Sequence, residues 1–306
     1  AREIYPEMQA HPLVCNVVFD LGLGIYRWAD MILGGLDNRE ARVAINRAAA
    51  KVSKPWIDGA IERLSGVARV FDPATGPCYE CTMSDVDWRM LEARRSCALL
   101  SADEMLHGKG PATPSPSSIV AGMQVQEALK MLHGQEALSG QGIVYDGMHH
   151  QTYVVTYTQL EDCPSHDALE SIETLPLSIG DTTARGLLDR VREDLGDAAV
   201  LEFNQDLLES LECAKCQRVT PRRGSLGKTT EADGICPNCG SQRRPKIFHT
   251  LDADAPLLDC TLQELGVPPW DIVTGRSGQL QRHYELVGDR GAVLGDLEAS
   301  GLEGNP

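Results

Sequence analysis

Three pairs of cysteines spaced as Cys-x-x-Cys constrain the fold of this chain more than any other feature. The pairs are Cys78/Cys81, Cys213/Cys216 and Cys236/Cys239. A two-residue gap lets one tight turn present two thiolates to a tetrahedral metal ion. Disulfides would also suit an even count of ten cysteines, but a chain of 306 residues has core enough not to need them. The spacing therefore favours zinc in a reducing cytoplasm.

The last two pairs have the spacing of a zinc ribbon, which we place at about residues 210–245. Pro237 and Gly240 are residue types found in the turns of metal-binding knuckles. Four thiolates fill a tetrahedral shell and leave no position for a substrate, so the predicted zinc site is structural. Its ligands would be Cys213, Cys216, Cys236 and Cys239.

Basic residues surround the predicted ribbon, and two interpretations of them stay open. They could bind an anion or a nucleic acid locally, or they could form the solvated face of a small domain. The second interpretation is favoured because the chain carries a formal net charge of −16. The residues are Arg218, Arg222, Arg223, Lys228, Arg243, Arg244 and Lys246.

The remaining pair, Cys78/Cys81, has candidate partners far along the chain. Cys163 and His166 are also separated by two residues, and a shell of three cysteines and one histidine satisfies zinc. Such a second structural zinc site would join two segments that are distant in sequence. The alternative is two buried thiols and a surface histidine.

The first half of the chain alternates short apolar runs with amphipathic stretches. We predict helices over residues 38–52 and 118–134 and strands over 142–146 and 152–158. Strands that alternate with helices predict an α/β fold with a mostly parallel sheet. The pattern changes near residues 167–176.

Length and charge set the broad class of the protein. The length suggests two domains, and we expect them at residues 1–167 and 168–306, the second a smaller α+β domain that contains the zinc ribbon. Apolar runs fall short of the roughly 20 residues that span a bilayer. With 28 Lys and Arg against 44 Asp and Glu, a broad nucleic-acid-binding surface is disfavoured. We expect a cytoplasmic protein that binds no membrane.

Asp37 is a candidate metal-binding carboxylate. It follows a buried apolar run at residues 29–33 and opens a helix, which places it at the sheet edge where α/β folds bind ligands. There it could hold the magnesium ion of a bound nucleotide. The alternative is a capping role, since Asp37 and Glu40 resemble a capping box.

Cys97 stands outside the metal pairs, and its role stays open from the residues alone. The adjacent Arg94 and Arg95 would favour a nucleophilic thiolate, whereas the end of a helix would oppose it. A buried, inert thiol explains Cys97 equally well. We predict a flexible segment at residues 98–117, directly after it.

Gly22-Leu23-Gly24 does not predict a dinucleotide site. The third glycine of that fingerprint is replaced by Arg27, and two glycines alone are a weak signal. A nicotinamide-dependent oxidoreductase is therefore the least favoured class.

Several further motifs follow one another along the first half. They are Asp37-Asn38-x-x-x-Arg42-x-x-x-Asn46, Pro55-Trp56-Ile57-Asp58-Gly59, Gly76-Pro77-Cys78-Tyr79-Glu80-Cys81, the lone Cys97, the run from Pro114 through Ala121 to Lys130, Tyr145-Asp146-Gly147 and Cys163-x-x-His166. This order resembles the ThiF/MoeB/HesA family, the relatives of ubiquitin-activating enzymes. The resemblance covers about residues 1–167.

The resemblance implies a Rossmann-like domain that binds ATP with magnesium. That domain adenylates the C-terminal glycine of a ubiquitin-like or sulfur-carrier protein, and many members then pass the acyl group to a cysteine. Asp37 matches the metal-contacting aspartate, Asn38 and Arg42 match its supporting residues, and Cys97 matches the acceptor cysteine. The zinc knuckle is matched by Cys78, Cys81, Cys163 and His166. Analogy with relatives also suggests a homodimer.

The family's glycine-rich phosphate loop, an arginine-bearing stretch and a lysine would precede residue 1. We therefore expect either a fragment or a second chain that supplies the missing half, and weak ATP binding by residues 1–306 alone. The alternative function is a non-catalytic zinc-binding adaptor that docks a ubiquitin-like partner.

Overall fold

A computed structural model describes residues 3–96, 113–230 and 232–299. The chain divides into two compact units, which we call the middle unit, Ala29–Leu169, and the terminal unit, Ala1–Trp28 with Glu170–Pro306. Both are mixtures of helix and strand, which agrees with the predicted α/β class. No described helix has the length and apolar character that a membrane crossing requires.

The helices and strands of the described residues are numbered in chain order. The helices are α1 (Leu23–Trp28), α2 (Arg39–Lys51), α3 (Asp85–Ser96), α4 (Pro114–Leu132), α5 (Ala184–Leu195), α6 (Leu262–Leu265), α7 (Arg290–Leu294) and α8 (Asp296–Ala299). The strands are β1 (Ile32–Gly35), β2 (Trp56–Glu62), β3 (Ser65–Phe71), β4 (Gln141–Asp146), β5 (Gln151–Thr156), β6 (Ile172–Leu175), β7 (Val200–Cys213), β8 (Val219–Ser225), β9 (Arg243–Leu251), β10 (Ile272–Ser277) and β11 (Leu280–Leu286).

The sheet of the middle unit has the strand order β1-β2-β3-β4-β5. Strand β1 is parallel to β2, and every other neighbouring pair is antiparallel. The prediction of a mostly parallel sheet is therefore wrong for this described sheet. Only Arg63 and Leu64 join β2 to β3, whereas a parallel crossover needs a dozen residues or more. Four residues, 147–150, likewise join β4 to β5 as a hairpin.

Helix α2 confirms the helix predicted over residues 38–52. Alanine is abundant in it, and alanine has the highest helix propensity. Its N-cap is Asn38, whose Oδ1 accepts a hydrogen bond from Ala41 N at 2.8 Å. The capping role considered for Asp37 therefore belongs to its neighbour.

Helix α4 covers one face of the middle sheet. It packs against β2 and β3, where Ala128 joins Ile57 and Val70 in a buried apolar cluster. The helix begins four residues before its predicted start, because proline at Pro114 suits the first helical turn.

The terminal unit has a sheet of order β6-β11-β10-β7-β8, with β9 also paired to β7. Helix α5 packs against this sheet through Leu187, Leu188 and Val191, which are fully buried. Helix α1 also belongs to this unit, since Leu23 N donates to Asp271 Oδ1 at 2.9 Å. Gly24 N donates to the carbonyl of Trp270 at 3.0 Å.

Candidate functional site

Asp37 lies in the loop between β1 and α2, at the carboxyl end of a parallel strand. Its side chain is exposed, and its Oδ1 accepts a hydrogen bond from Asn38 Nδ2 at 2.9 Å. Asn38 thus contacts the carboxylate with its amide nitrogen and caps α2 with its oxygen. The structure therefore places these two predicted site residues together.

Arg42 fixes the shape of this loop. From the first turns of α2 its guanidinium donates to the carbonyls of Leu36 at 2.8 Å and Asn38 at 3.3 Å, which flank Asp37 on both sides. It also donates to the carbonyl of Gly59 at 3.1 Å. The loop carbonyls are therefore held by a buried cation.

Asp58 holds Arg42 in place. Its carboxylate is fully buried on β2 and accepts from Arg42 Nε at 2.8 Å and from Arg69 Nε at 3.0 Å. Two guanidinium groups offset the cost of burying this charge. The sequence analysis quoted Asp58 within a motif but assigned it no role; a carboxylate between apolar strand residues is the signal that could have found it.

Gln124 links β1 to β2. Its Nε2 donates to the carbonyls of Gly34 and Ile57, each at 2.9 Å. Gln124 lies on the buried face of α4. A polar residue on an apolar helix face is the sequence signal for this contact.

The first cysteine cluster joins two turns of the middle unit. Its four members are Cys78, Cys81, Cys163 and His166, whose ligand atoms all lie within 4.8 Å of one another. Cys78 and Cys81 sit in one tight turn, in which Cys81 N donates to the carbonyl of Cys78 at 3.1 Å, and Cys163 and His166 flank a second turn at residues 164–165. The structure therefore brings together the two halves that the sequence suggested.

The spacing of these ligand atoms fits a tetrahedral metal. Cys78 Sγ lies 3.7 Å from Cys81 Sγ and 3.5 Å from Cys163 Sγ, close to the roughly 3.7 Å edge that bonds of about 2.3 Å to zinc would give. A disulfide would need about 2.05 Å. Burial raises the pKa of the Cys78 thiol, so a bound cation is what would keep it as a thiolate.

His166 contributes a ring nitrogen and has a supporting partner. Its Nε2 lies 3.3 Å from Cys81 Sγ, and its Nδ1 lies 2.8 Å from the side-chain amide of Gln159. A side-chain amide next to the second ring nitrogen can fix the orientation of a metal-binding histidine ring. Leu160 N also donates to Cys81 Sγ at 3.5 Å.

The second cluster lies at the end of the long strand β7 in the terminal unit. Its members are Cys213, Cys216, Cys236 and Cys239, with their sulfur atoms within 4.8 Å of one another. The Sγ–Sγ distances are 3.5 Å for Cys213–Cys239 and 3.6 Å for Cys216–Cys236. A hydrogen bond from Asn238 lowers the pKa of the Cys216 thiol to about 6. These four thiols could also hold one metal ion.

Several of the basic residues around this cluster are engaged within the unit. Arg222 pairs with Asp233 at 2.9 Å, and Lys246 pairs with Glu209 at 2.6 Å. Arg243 is buried and donates to Thr220 Oγ1 at 3.1 Å. These contacts favour a structural role for the three side chains over an anion site.

Cys97, the predicted acceptor, lies outside the described residues, as does most of the 98–117 segment.

Comparisons with known proteins give mutually consistent matches for the first half of the chain. A family model described as "ThiF family" matches residues 1–165, more than half of the chain. The ubiquitin-like modifier-activating enzyme 5 of Dictyostelium discoideum is 33% identical over 110 residues, which cover 34% of this chain and 26% of that protein. The adenylyltransferase and sulfurtransferase MOCS3 of Culex quinquefasciatus is 26% identical over 147 residues, covering 48% and 31%.

The chain therefore spans less than a third of the length of these two relatives. Among solved structures, the crystal structure of E. coli MccB with ATP is 16% identical, with a TM-score of 0.35, over 45% of this chain and 39% of that one.

Proposed function

Because the chain belongs to the ThiF family, we propose that it forms part of an adenylyltransferase that activates the C-terminal glycine of a ubiquitin-like or sulfur-carrier protein. The observation that carries this proposal is the Asp37 loop. An exposed carboxylate follows a parallel strand, its neighbour takes the capping role, and Arg42 holds the carbonyls on either side. A loop fixed in this way is suited to present a carboxylate to a ligand.

The proposed reaction turns a poor acyl donor into a good one. The glycine carboxylate attacks the α-phosphorus of ATP and pyrophosphate leaves, so the product is an acyl-adenylate. A cysteine thiolate then attacks the acyl carbon, a thioester forms and AMP leaves. In this scheme Cys97 is the acceptor, a role that rests on the family resemblance.

Asp37 would bind magnesium together with the nucleotide. Magnesium prefers oxygen ligands and often takes only one or two carboxylates from the protein, so a single exposed aspartate beside the nucleotide fits. The ion would offset charge on the phosphates when bound. Arg42 and Asn38 would act by keeping Asp37 in position.

Both cysteine clusters would hold structural zinc. Each has four ligands, which closes a tetrahedral shell. The zinc at Cys78, Cys81, Cys163 and His166 would tie the turn after β3 to the turn that follows β5. A homodimer is a further part of this proposal, by analogy with the family.

ATP–pyrophosphate exchange on the full-length protein, with candidate carrier proteins, tests the function. We expect exchange that requires a carrier with a free C-terminal glycine and falls at least 100-fold in Asp37→Asn, in line with the loss of a metal-positioning group (about 2.7 kcal/mol or more). The matched control is Asp72→Asn. It should retain wild-type exchange, since Asp72 lies in a different turn, where its Oδ1 accepts a hydrogen bond from Ala74 N.

Unchanged exchange in Asp37→Asn would overturn the assigned role of that residue. Binding of a carrier without exchange would instead support the non-catalytic adaptor.

A further inference from the structure

The first cysteine cluster is supported by a buried carboxylate that the proposed function does not use. Glu80 lies between Cys78 and Cys81, and Ser165 lies between Cys163 and His166. Both side chains are buried, and Ser165 Oγ donates a hydrogen bond to Glu80 Oε2. The two metal-binding turns are thus joined through the residues between their ligands.

Helix α2 supplies the other partners of Glu80. Arg47 donates to the carboxylate from Nη2 at 2.7 Å and from Nε at 3.2 Å, and Asn46 Nδ2 donates at 3.3 Å. Asn46 Oδ1 in turn accepts from Tyr79 N at 2.8 Å and from Trp56 Nε1 at 3.3 Å. The first metal-binding turn is therefore attached to α2 by both backbone and side-chain contacts.

The same helix positions the Asp37 loop at its other end. Asn38, Arg42 and Asn46 are four residues apart, so they line one face of α2. Asn38 and Arg42 shape the loop, while Asn46 contacts the metal-binding turn. A single helix thus connects the two sites.

We propose that Glu80 is a positioning residue that couples metal binding at the first cluster to the order of α2 and of the Asp37 loop. A buried carboxylate is tolerated only with its partners in place. Ser165 contacts Glu80 in the structure, and a metal ion shared by Cys78, Cys81, Cys163 and His166 would hold their two turns at this separation. The metal therefore completes the set of groups that holds α2, and by linkage an ordered α2 strengthens metal binding. This inference rests on the zinc proposed for the first cluster.

Zinc competition with a colorimetric chelator tests one direction of this coupling, and the second cluster is an internal reference. The wild-type chain should hold two zinc ions. In Glu80→Gln one of them should be lost at about 10- to 100-fold lower chelator concentration, the usual effect of removing a group that supports a metal ligand. The other zinc, at Cys213 and its partners, should be released as in wild type.

Two further variants make this result specific. Ser165→Ala removes one hydrogen bond, keeps the Arg47 pairing, and should weaken the same zinc by a smaller factor. Glu136→Gln, an exposed residue of the middle unit, should change neither zinc.

Hydrogen exchange tests the other direction without any assay of activity. Removing zinc from the wild-type chain should speed amide exchange in peptides that cover residues 37–50. In Glu80→Gln these peptides should already exchange fast, and zinc should no longer protect them.

The proposal is overturned if Glu80→Gln binds two zinc ions with wild-type affinity, or if α2 exchange does not respond to zinc; the proposed zinc sites would still stand. A wild-type chain with a single zinc, bound at the second cluster, would also overturn the zinc site proposed for the first cluster, on which this inference rests.

Discussion

Arg42 and Asp58 form a buried ion pair, with Arg42 Nε 2.8 Å from Asp58 Oδ1. The aspartate side chain is fully buried, and Arg69 contacts its other oxygen. Arg69 also stacks over the ring of Tyr79, 5.0 Å from its centre. The loop that carries Asp37 therefore depends on a charge network built into β2 and β3.

Replacing Asp58 with asparagine should destabilise the middle unit strongly. Arg42 and Arg69 would keep their charges in a nearly buried site without a counter-ion, and breaking such a pair costs about 3–5 kcal/mol. Urea unfolding, followed by tryptophan fluorescence, measures the free energy of unfolding, and Trp56, which is buried in this unit, contributes to the signal. Asp72→Asn is the control and should leave the midpoint unchanged; an equal, small effect of both variants would contradict the role given to Asp58.

We predict that position 59 must be glycine, because Gln124 packs directly against its Cα. A Cβ at Gly59 would lie 2.4 Å from Gln124 Oε1, so Gly59→Ala should displace Gln124 and cost about 1–3 kcal/mol, as other overpacked sites do. Gly122→Ala, in the middle of α4 with open space around it, should instead stabilise the chain by about 0.5–1 kcal/mol. Thermal unfolding of the two variants should therefore shift in opposite directions.

Much of the metal-binding geometry could be predicted because ligand spacing is a local property. Two residues between cysteines fix the distance between the two sulfur atoms of one turn, wherever that turn lies in the fold. The pairs could therefore be identified as metal-binding turns. Glu80 and Ser165 were missed because polar residues in such turns usually face solvent. Their burial depends on two turns meeting, and the sequence does not give that contact directly.

Strand direction could not be predicted in the same way. Alternating strands and helices in the first half predict parallel pairing, but only Arg63 and Leu64 separate β2 from β3, and that gap becomes visible only once the strand ends are known. Pro114 falls within the segment predicted to be flexible, 98–117, although proline is also favoured in the first turn of a helix. In both cases a local sequence pattern is compatible with two structures, and contacts with the rest of the fold determine which one forms.

Loss of one cysteine of the second cluster should remove one zinc ion from the chain. Cys236→Ser weakens a closed four-sulfur shell, and structural zinc depends on all of its ligands. Elemental analysis of the purified protein should give about one zinc per chain instead of two. Cys15→Ser, at an exposed cysteine outside both clusters, should retain both; an unchanged zinc content in Cys236→Ser would exclude the predicted site.

Cys97→Ala should abolish thioester formation with the carrier and leave pyrophosphate exchange intact, because adenylation precedes the transfer to sulfur. A thiol-sensitive conjugate of protein and carrier, seen on a non-reducing gel, is the measurement. The matched variant is again Cys15→Ser, which should still form the conjugate. A conjugate in Cys97→Ala would show that another group accepts the acyl chain.

Gly24→Ala should release helix α1 from the terminal unit. A Cβ at Gly24 would lie 2.4 Å from the indole of Trp270. This packing explains the second glycine of Gly22-Leu23-Gly24 without a bound nucleotide. The rigid indole is buried and donates to Glu285 Oε1 at 2.7 Å, so it has little freedom to move. Limited proteolysis should therefore cleave the variant faster between residues 20 and 30. Gly186→Ala adds only an ordinary contact at 3.5 Å and should leave the cleavage rate as in wild type; equal rates for both variants would show that α1 does not depend on this packing.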